Sequence, residues 1–245
     1  MDAPSTLVVI PTYNERECLT QIVPAVRAAV PAADILVVDD NSPDGTGALA
    51  DELAAADPRV RVLHRVRKEG LGAAYLAAFK FALDAEESAG WKRIVQMDAD
   101  FSHDPKDVPR LLAALDGGAG LAIGSRYTEG GGTENWGLGR RLISRGGGIY
   151  AQTVLGVSVR DLTAGFKAWN ASTLRGIDLD AVSAMGYGFQ IEMTFRALRG
   201  GFRVVEVPIK FVDRRVGQSK MSGTIFFEAL TLVWSLRARV PARRA

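Results

Sequence analysis

Two aspartates separated by one small residue, Asp98-Ala99-Asp100, follow directly on the mostly apolar run Ile94-Val95-Gln96-Met97. A carboxylate pair leaving the end of a buried strand is a set of hard oxygen ligands suited to Mg²⁺ or Mn²⁺, which in turn hold a diphosphate. The same three residues also suit a solvated loop or a helix start, so their neighbours decide. Three more polar clusters follow apolar runs: Pro11-Thr12-Tyr13-Asn14-Glu15, Asp39-Asp40-Asn41-Ser42-Pro43-Asp44-Gly45-Thr46 and Gly124-Ser125-Arg126-Tyr127. Each is a good turn or helix-cap sequence by itself. Four of them at consecutive strand ends mark the edge where open α/β sheets collect ligands.

The elements that must position these residues are legible in the hydrophobic pattern. Residues 6–10, 35–38, 60–63, 94–97 and 121–123 read as short buried strands. Between them, 15–29, 46–56, 71–87 and 105–115 have helical spacing, the first through Leu19, Ile22, Val23 and Val26. Alternating strands and helices predict an α/β fold, a mostly parallel central sheet with helices on both faces. From Gly124 the regularity fails. Gly130 to Gly132 and Gly146 to Gly148 flank Trp136-Gly137-Leu138-Gly139-Arg140-Arg141, which reads as a mobile active-site loop or as a plain surface excursion. Residues 191–199 are expected to be helical, 203–207 a strand, and an apolar segment follows Ser222.

Composition bounds the class. The chain has 245 residues, 47% apolar and 24% charged, enough for one sizeable domain with a core. Its net charge is only +2, with arginines gathered at Arg140, Arg141 and Arg145 and at Arg237, Arg239, Arg243 and Arg244. That balance, without interleaved aromatics, does not call for nucleic acid. Cys18 is the only cysteine, so an intrachain disulfide, a cysteine zinc site and a CxxC redox centre are excluded, and the residue is expected to be a small buried hydrophobe. The first residues lack the basic start and apolar core of a signal peptide, so a cytoplasmic protein is expected. The stretch 223–236 contains Glu228 and is shorter than the ~20 residues that span a bilayer.

Taken together, Pro-Thr-Tyr-Asn-Glu, Val-Val-Asp-Asp-Asn-Ser-Pro-Asp-Gly-Thr, Asp-Ala-Asp, Gly-Ser-Arg-Tyr, Asp161-Leu162-Thr163-Ala164-Gly165-Phe166 and residues 214–220 carry a resemblance. From about residue 7 to residue 220 the chain resembles family-2 glycosyltransferases with the GT-A, Rossmann-like fold, and more narrowly the dolichyl- or polyprenyl-phosphate mannose synthases. The resemblance implies inverting, metal-dependent transfer of mannose from GDP-mannose to a polyprenyl monophosphate. It implies that Pro11, Tyr13, Glu15, Val38 and Asp40 line the base and ribose. Asp98, Ala99 and Asp100 would meet the donor diphosphate through Mg²⁺ or Mn²⁺. Some relatives have a glutamine as a further metal ligand where this chain has Ser102, which leaves the third ligand open, with His103 as a helper or a solvated loop residue.

Acceptor phosphate contacts are implied for Arg126, Arg140, Ser144 and Ser219. Arg214 and Lys220 are implied to close with Ser219 over the donor and acceptor phosphates, and Asp100, Arg126, Arg214 and Lys220 form the implied catalytic set. A phosphate monoester, with a second pKa of about 6, attacks without a dedicated general base, so no glycosidase-like carboxylate pair is expected. Asp161 and Gln190-Ile191-Glu192 are expected to orient the sugar or support the loop. A glucosyl or other sugar transferase and a non-catalytic nucleotide-sugar or lipid-binding module are the alternatives. A processive polysaccharide synthase is disfavoured, since the chain has no Gln-x-x-Arg-Trp.

Two units are expected, a catalytic domain over 1–221 and an apolar, basic-ended helix over 222–245. With Ile225, Phe226, Phe227, Leu230, Val233, Trp234 and Leu236, that helix suits either the surface of a membrane or packing on the sheet. The expected location is the cytoplasmic face of the membrane, with a membrane-anchoring protein as a further partner.

Overall fold

A computed structural model of the chain describes residues 6–85, 89–184, 186–213 and 223–240, apart from the side chains of Tyr187 and residues 223–230. Nine strands are seen among them: β1 Thr6–Thr12, β2 Asp34–Asp39, β3 Val60–His64, β4 Arg93–Gln96, β5 Leu121–Ser125, β6 Gly132–Glu134, β7 Lys167–Asn170, β8 Val204–Pro208 and β9 Lys210–Val212. The helices are α1 Arg16–Ala29, α2 Thr46–Ala56, α3 Leu71–Asp84, α4 Val108–Asp116, α5 Leu138–Leu155, α6 Ala171–Gly176, α7 Tyr187–Arg199 and α8 Gly223–Arg239. A short 3-10 turn, Pro105–Asp107, leads into α4.

Seven strands form one sheet in the order β3-β2-β1-β4-β7-β5-β8. All neighbours run parallel except β7, which lies antiparallel between β4 and β5. The remaining strands, β6 and β9, form a separate parallel pair. Strand period fixes the two faces of β1: Leu7 and Val9 join one apolar cluster, Val8 and Ile10 the other. Burial on both faces explains why the parallel strands read as continuous apolar runs. On α1 the expected face of Leu19, Ile22, Val23 and Val26 is buried.

Three expectations change. The glycine-rich segment is not an irregular loop: residues 138–155 form the 18-residue helix α5, which runs through Gly146, Gly147 and Gly148. Each glycine costs a helix about 1 kcal/mol relative to alanine. Burial of Ala151, Val154 and Leu155 on one face offsets that cost, a tertiary gain invisible to local propensity. Cys18 is half-buried, and burial together with the nearby Glu15 pushes its thiol up to about 11. The helix after residue 71 ends at Asp84.

Helix α8 packs on α5 and α7 and sends Val233 and Leu236, followed by Val240 just past its end, into the same core cluster as the sheet, while Trp234 stays exposed and donates to the Tyr150 hydroxyl at 2.9 Å. No helix among the described residues is long and apolar enough to cross a membrane.

Candidate active site

The four sequence clusters sit at the C-terminal ends of β1, β2, β4 and β5. Where β1 and β2 end, Asp39 is buried and shapes the turn, accepting from the Ser42 amide at 3.1 Å and the Ser42 hydroxyl at 2.6 Å. Asp44 does the same one turn on, accepting from the Thr46 amide and hydroxyl at 3.0 and 2.6 Å, and Thr46 Oγ1 accepts from the Glu15 amide. Val38 is fully buried, whereas Pro11, Tyr13 and Glu15 are half-buried along one rim. Asp40 points at a residue that the sequence did not single out: Arg65 Nη1 meets its carboxylate at 2.5 Å and Arg65 Nη2 reaches Glu69 at 2.7 Å. Burial raises the Asp40 pKa and Arg65 pulls it back. Lys68 stands 3.6 Å above the Tyr13 ring, a cation on an aromatic face that is half open to solvent.

At the end of β4 the carboxylate pair is held from below. Asp98 accepts from the Tyr75 hydroxyl at 3.5 Å, and Tyr75 is locked by stacking on Phe79 and Phe189. The Asp98 amide donates to His103 Nδ1 at 3.1 Å, which leaves the ring proton of neutral His103 on Nε2. His103 is therefore no solvated loop residue. It is buried, stacks on Phe166 with centroids 4.9 Å apart, and has its pKa lowered by that burial against the opposing charges of Asp98 and Asp100. Asp100 is buried and accepts from the Ser102 amide at 3.0 Å.

These residues fit a divalent cation of the Mg²⁺ type. Such an ion needs only one or two carboxylates when substrate phosphates and water complete its shell. Ser102 adds a buried hydroxyl that has no hydrogen-bond partner among the described residues, beside Asp100. Among the described residues no group of three or more His, Cys, Asp or Glu side chains gathers, so Asp98 and Asp100 are not a full protein cage.

The end of β5 carries the opposite charge. Arg126 forms a two-pronged pair with Asp161, Nε to Oδ2 at 2.8 Å and Nη2 to Oδ1 at 2.6 Å, and its amide also donates to Oδ2 at 2.9 Å. Thr163 accepts from the same guanidinium at 2.7 Å. The Asp161 carboxylate, expected to orient the sugar or support the loop, is taken up by Arg126. Tyr127, Trp136 and Phe211 cover the guanidinium at 5.2–5.5 Å. One turn apart on the inner face of α5, Arg140 and Ser144 join the same cluster. Arg140 lies 4.1 Å over Trp136 and pairs with Asp213 at 2.7 Å, and Ser144 accepts from the Tyr127 hydroxyl at 2.6 Å. Arg214, Ser219 and Lys220 lie outside the described residues.

A second unforeseen residue fixes this corner. Glu206 on β8 accepts from the Ser125 hydroxyl at 2.7 Å, the Asp161 amide at 3.0 Å and the Arg160 amide at 2.9 Å, stapling the β5 loop to the loop that bears Asp161. Its only sequence signal was an acidic residue amid an apolar strand. Glu192 has a supporting role, accepting from the Ser183 and Ala184 amides and pairing with Arg196, and Ile191 is core. Gln190 lies buried beneath Gly165.

Residues 7–177 match the sequence profile of glycosyl transferase family 2. The chain is 54% identical over 242 residues to the polyprenol monophosphomannose synthase of Mycolicibacterium smegmatis, covering 98% of this chain and 90% of that one. It is 52% identical over 241 residues to the undecaprenyl-phosphate mannosyltransferase of Micrococcus luteus, covering 98% and 97%. Among solved structures, glucosyl-3-phosphoglycerate synthase from Mycobacterium tuberculosis, determined in complex with Mn²⁺, uridine diphosphate and glucosyl-3-phosphoglycerate, superposes with a TM-score of 0.69 over 96% of this chain and 80% of that one, at 20% identity.

Proposed function

Because the chain belongs to glycosyl transferase family 2 and has the GT-A fold, we propose that it transfers mannose from GDP-mannose to a polyprenyl monophosphate, giving polyprenyl-phosphate mannose and GDP. The observation that supports this reading is the presence of opposite charges on two strand ends separated by one strand, in a chain 54% identical to a polyprenol monophosphomannose synthase. The carboxylates Asp98 and Asp100 follow β4, and the basic cluster of Arg126 and Arg140 follows β5.

Each side has its own task. Tyr13 offers the base a flat wall, and Asp40 accepts from base or ribose while Arg65 holds it in place. Mg²⁺ or Mn²⁺ held by Asp98 and Asp100, with Ser102 beside them, would supply charge neutralisation for the departing diphosphate. A dianionic acceptor approaching a diphosphate is repelled by it, and the guanidinium of Arg140, with Arg126 behind it, offsets that repulsion. Tyr127 and Ser144 add hydroxyls along the approach. The acceptor oxygen attacks the sugar C1 directly, so one displacement inverts the anomeric centre and needs no protein base.

The lipid end points to α5 as well as to the C-terminal helix. At 3.6 residues per turn Leu138, Leu142, Arg145 and Ile149 fall within an arc of roughly 60°. The three apolar members of that stripe are exposed, as is Trp234 on α8. An apolar stripe with Arg145 on it and Arg141 at its flank suits the surface of an anionic membrane, which is the expected site of a peripheral enzyme at the cytoplasmic face, alone or with a membrane-anchoring partner.

The test is a donor panel of GDP-mannose, UDP-glucose and UDP-N-acetylglucosamine with a short polyprenyl phosphate and Mg²⁺, read by product mass, for the wild type and Asp100→Ala. Mannosyl product from the wild type and its loss in the variant are expected. Undiminished turnover in Asp100→Ala would remove the metal-assisted mechanism, and a hexosyl product from UDP-glucose alone would replace the donor.

A further inference from the structure

Beneath Asp98 lies a buried chain of hydrogen bonds whose direction is fixed at every link. The Trp169 indole can only donate, and it does so to Gln96 Oε1 at 2.9 Å. Gln96 Nε2 is thereby turned the other way, onto Gly165 O and Gln190 Oε1, each at 2.9 Å. Lys167 Nζ also donates to Gln190 Oε1, at 2.9 Å, and to the Gln190 carbonyl at 2.8 Å. With two donors on Oε1 the Gln190 amide has one orientation, and its Nε2 must face away from the chain. Gln190 is 3% exposed, and Nε2 is buried with no hydrogen-bond partner among the described residues. A buried donor left unmade keeps its full desolvation cost, so a structure that fixes one has a use for it.

What Nε2 faces is the space left by the missing side chain of Gly165. A Cβ on Gly165 would stand 3.8 Å from Gln190 Nε2, 3.7 Å from Asp98 Oδ2 and 3.3 Å from His103 Cε1. The notch is therefore bordered by a donor that lacks an acceptor and by a carboxylate that only accepts. An anion there would be repelled by Asp98, and an apolar group would leave Nε2 unmade. A hydroxyl satisfies both walls at once.

We propose that this notch is a subsite for one hydroxyl of the sugar being transferred, its oxygen accepting from Gln190 Nε2 and its hydrogen donated to the Asp98 carboxylate. The subsite rests on the reading of a nucleotide-sugar donor given above, and it adds a residue that selects the sugar rather than the nucleotide. No proton is lost and no bond is made or broken there.

Two variants test it from different sides. Gly165→Ala fills the notch and leaves the buried chain of hydrogen bonds intact. Gln190→Met keeps the side-chain length and removes the donor. For each, affinities for GDP and for GDP-mannose are measured by titration calorimetry, with kcat/KM for GDP-mannose alongside and a thermal melt as a check on folding. Both variants should hold GDP within about twofold of wild type and lose about ten- to a hundred-fold in kcat/KM for GDP-mannose, the scale for an unpaired polar contact to substrate. Equal losses for GDP and GDP-mannose, or no loss for either in a folded Gly165→Ala, would overturn the subsite, the latter marking the notch as a water site. Absence of turnover by the wild type with every donor would instead refute the functional reading, and unchanged GDP-mannose binding in the variants would then still overturn the subsite.

Discussion

Asp161→Asn should be among the most destabilising isosteric changes in the molecule. The Asp161 side chain is fully buried and that of Arg126 is 9% exposed. Every group that approaches the carboxylate is a donor: Arg126 N and Nε on Oδ2, and Arg126 Nη2 with Thr163 Oγ1 on Oδ1. Asparagine keeps the shape but must turn an NH₂ toward one of those donor sets, and it leaves the guanidinium uncompensated under Tyr127, Trp136 and Phe211. Breaking a buried ion pair from one side costs about 3–5 kcal/mol. For a chain of this size about 2–4 °C is lost per kcal/mol, so the melting temperature should fall by about 6–20 °C. Urea unfolding at neutral pH measures the free energy directly. The double variant Arg126→Met/Asp161→Leu should recover most of the loss, since an apolar pair of similar volume replaces the charges, while turnover stays low because the cation behind the acceptor site is gone. An Asp161→Asn protein within about 1 kcal/mol of wild type would refute the claim that this pair is buried and mutually dependent.

Lys167 gives a pH signature. Burial lowers its pKa from 10.5 to about 7, so between those values the unfolded chain holds a proton that the native chain has released. Stability from this group therefore rises with pH across that window, by up to about 1.4 kcal/mol per unit, and Lys167→Met should flatten the slope of urea-unfolding free energy between pH 7.5 and 9. Gly131→Ala would place a Cβ 2.6 Å from the Ser125 carbonyl oxygen and 2.9 Å from the Arg126 carbonyl carbon. That backbone must move, at a cost of about 1–3 kcal/mol, and kcat/KM for the lipid acceptor should drop at least about tenfold while GDP affinity holds. Leu142→Glu on the exposed stripe of α5 should leave stability within about 0.5 kcal/mol and weaken sedimentation with anionic vesicles; unchanged vesicle binding would remove α5 from the membrane surface.

The parallel half of the fold was legible because its signals are local. β1, β2 and β5 are buried along nearly their whole length, and α1 repeats its apolar face every third or fourth residue. β7 was not legible, because Lys-Ala-Trp-Asn looks like a surface turn until Gln190, 23 residues on, supplies the acceptors that let Lys167 be buried. Helix α5 was hidden for a related reason, since its glycines argue against a helix and only the packing of Ala151, Val154 and Leu155 argues for one. That Asp98 and Asp100 stand where β4 ends could be read from the residues, whereas Arg140 and Ser144 were named by the family resemblance alone and their shared helix face was not. The roles of Arg65, Glu206 and His103 could not, because each depends on a partner that the chain brings in from elsewhere: Asp40 to Arg65, Ser125 and Asp161 to Glu206, and Phe166 to His103.

Strand β7 also explains why a carboxylate pair and an arginine cluster can share one site without neutralising each other. Gln96 of β4 and Ile123 of β5 both pair with Lys167, so the two strand ends stand one intervening strand apart. At about 4.8 Å per strand the separation is roughly 10 Å. Salt bridges at that distance do not form, and Arg126 instead finds its counter-ion in Asp161, on the loop leading into β7. The gap is of a size to seat a sugar ring between a diphosphate on the β4 side and a monophosphate on the β5 side. Gly165 and Phe166 cross it, held by Gln96 from one flank and by the Gly124 amide from the other. The notch above Gln190 thus opens at the β4 end of this gap, where a Cβ on Gly165 would stand 3.7 Å from Asp98 Oδ2, the place at which the proposed subsite would meet a hydroxyl of the sugar.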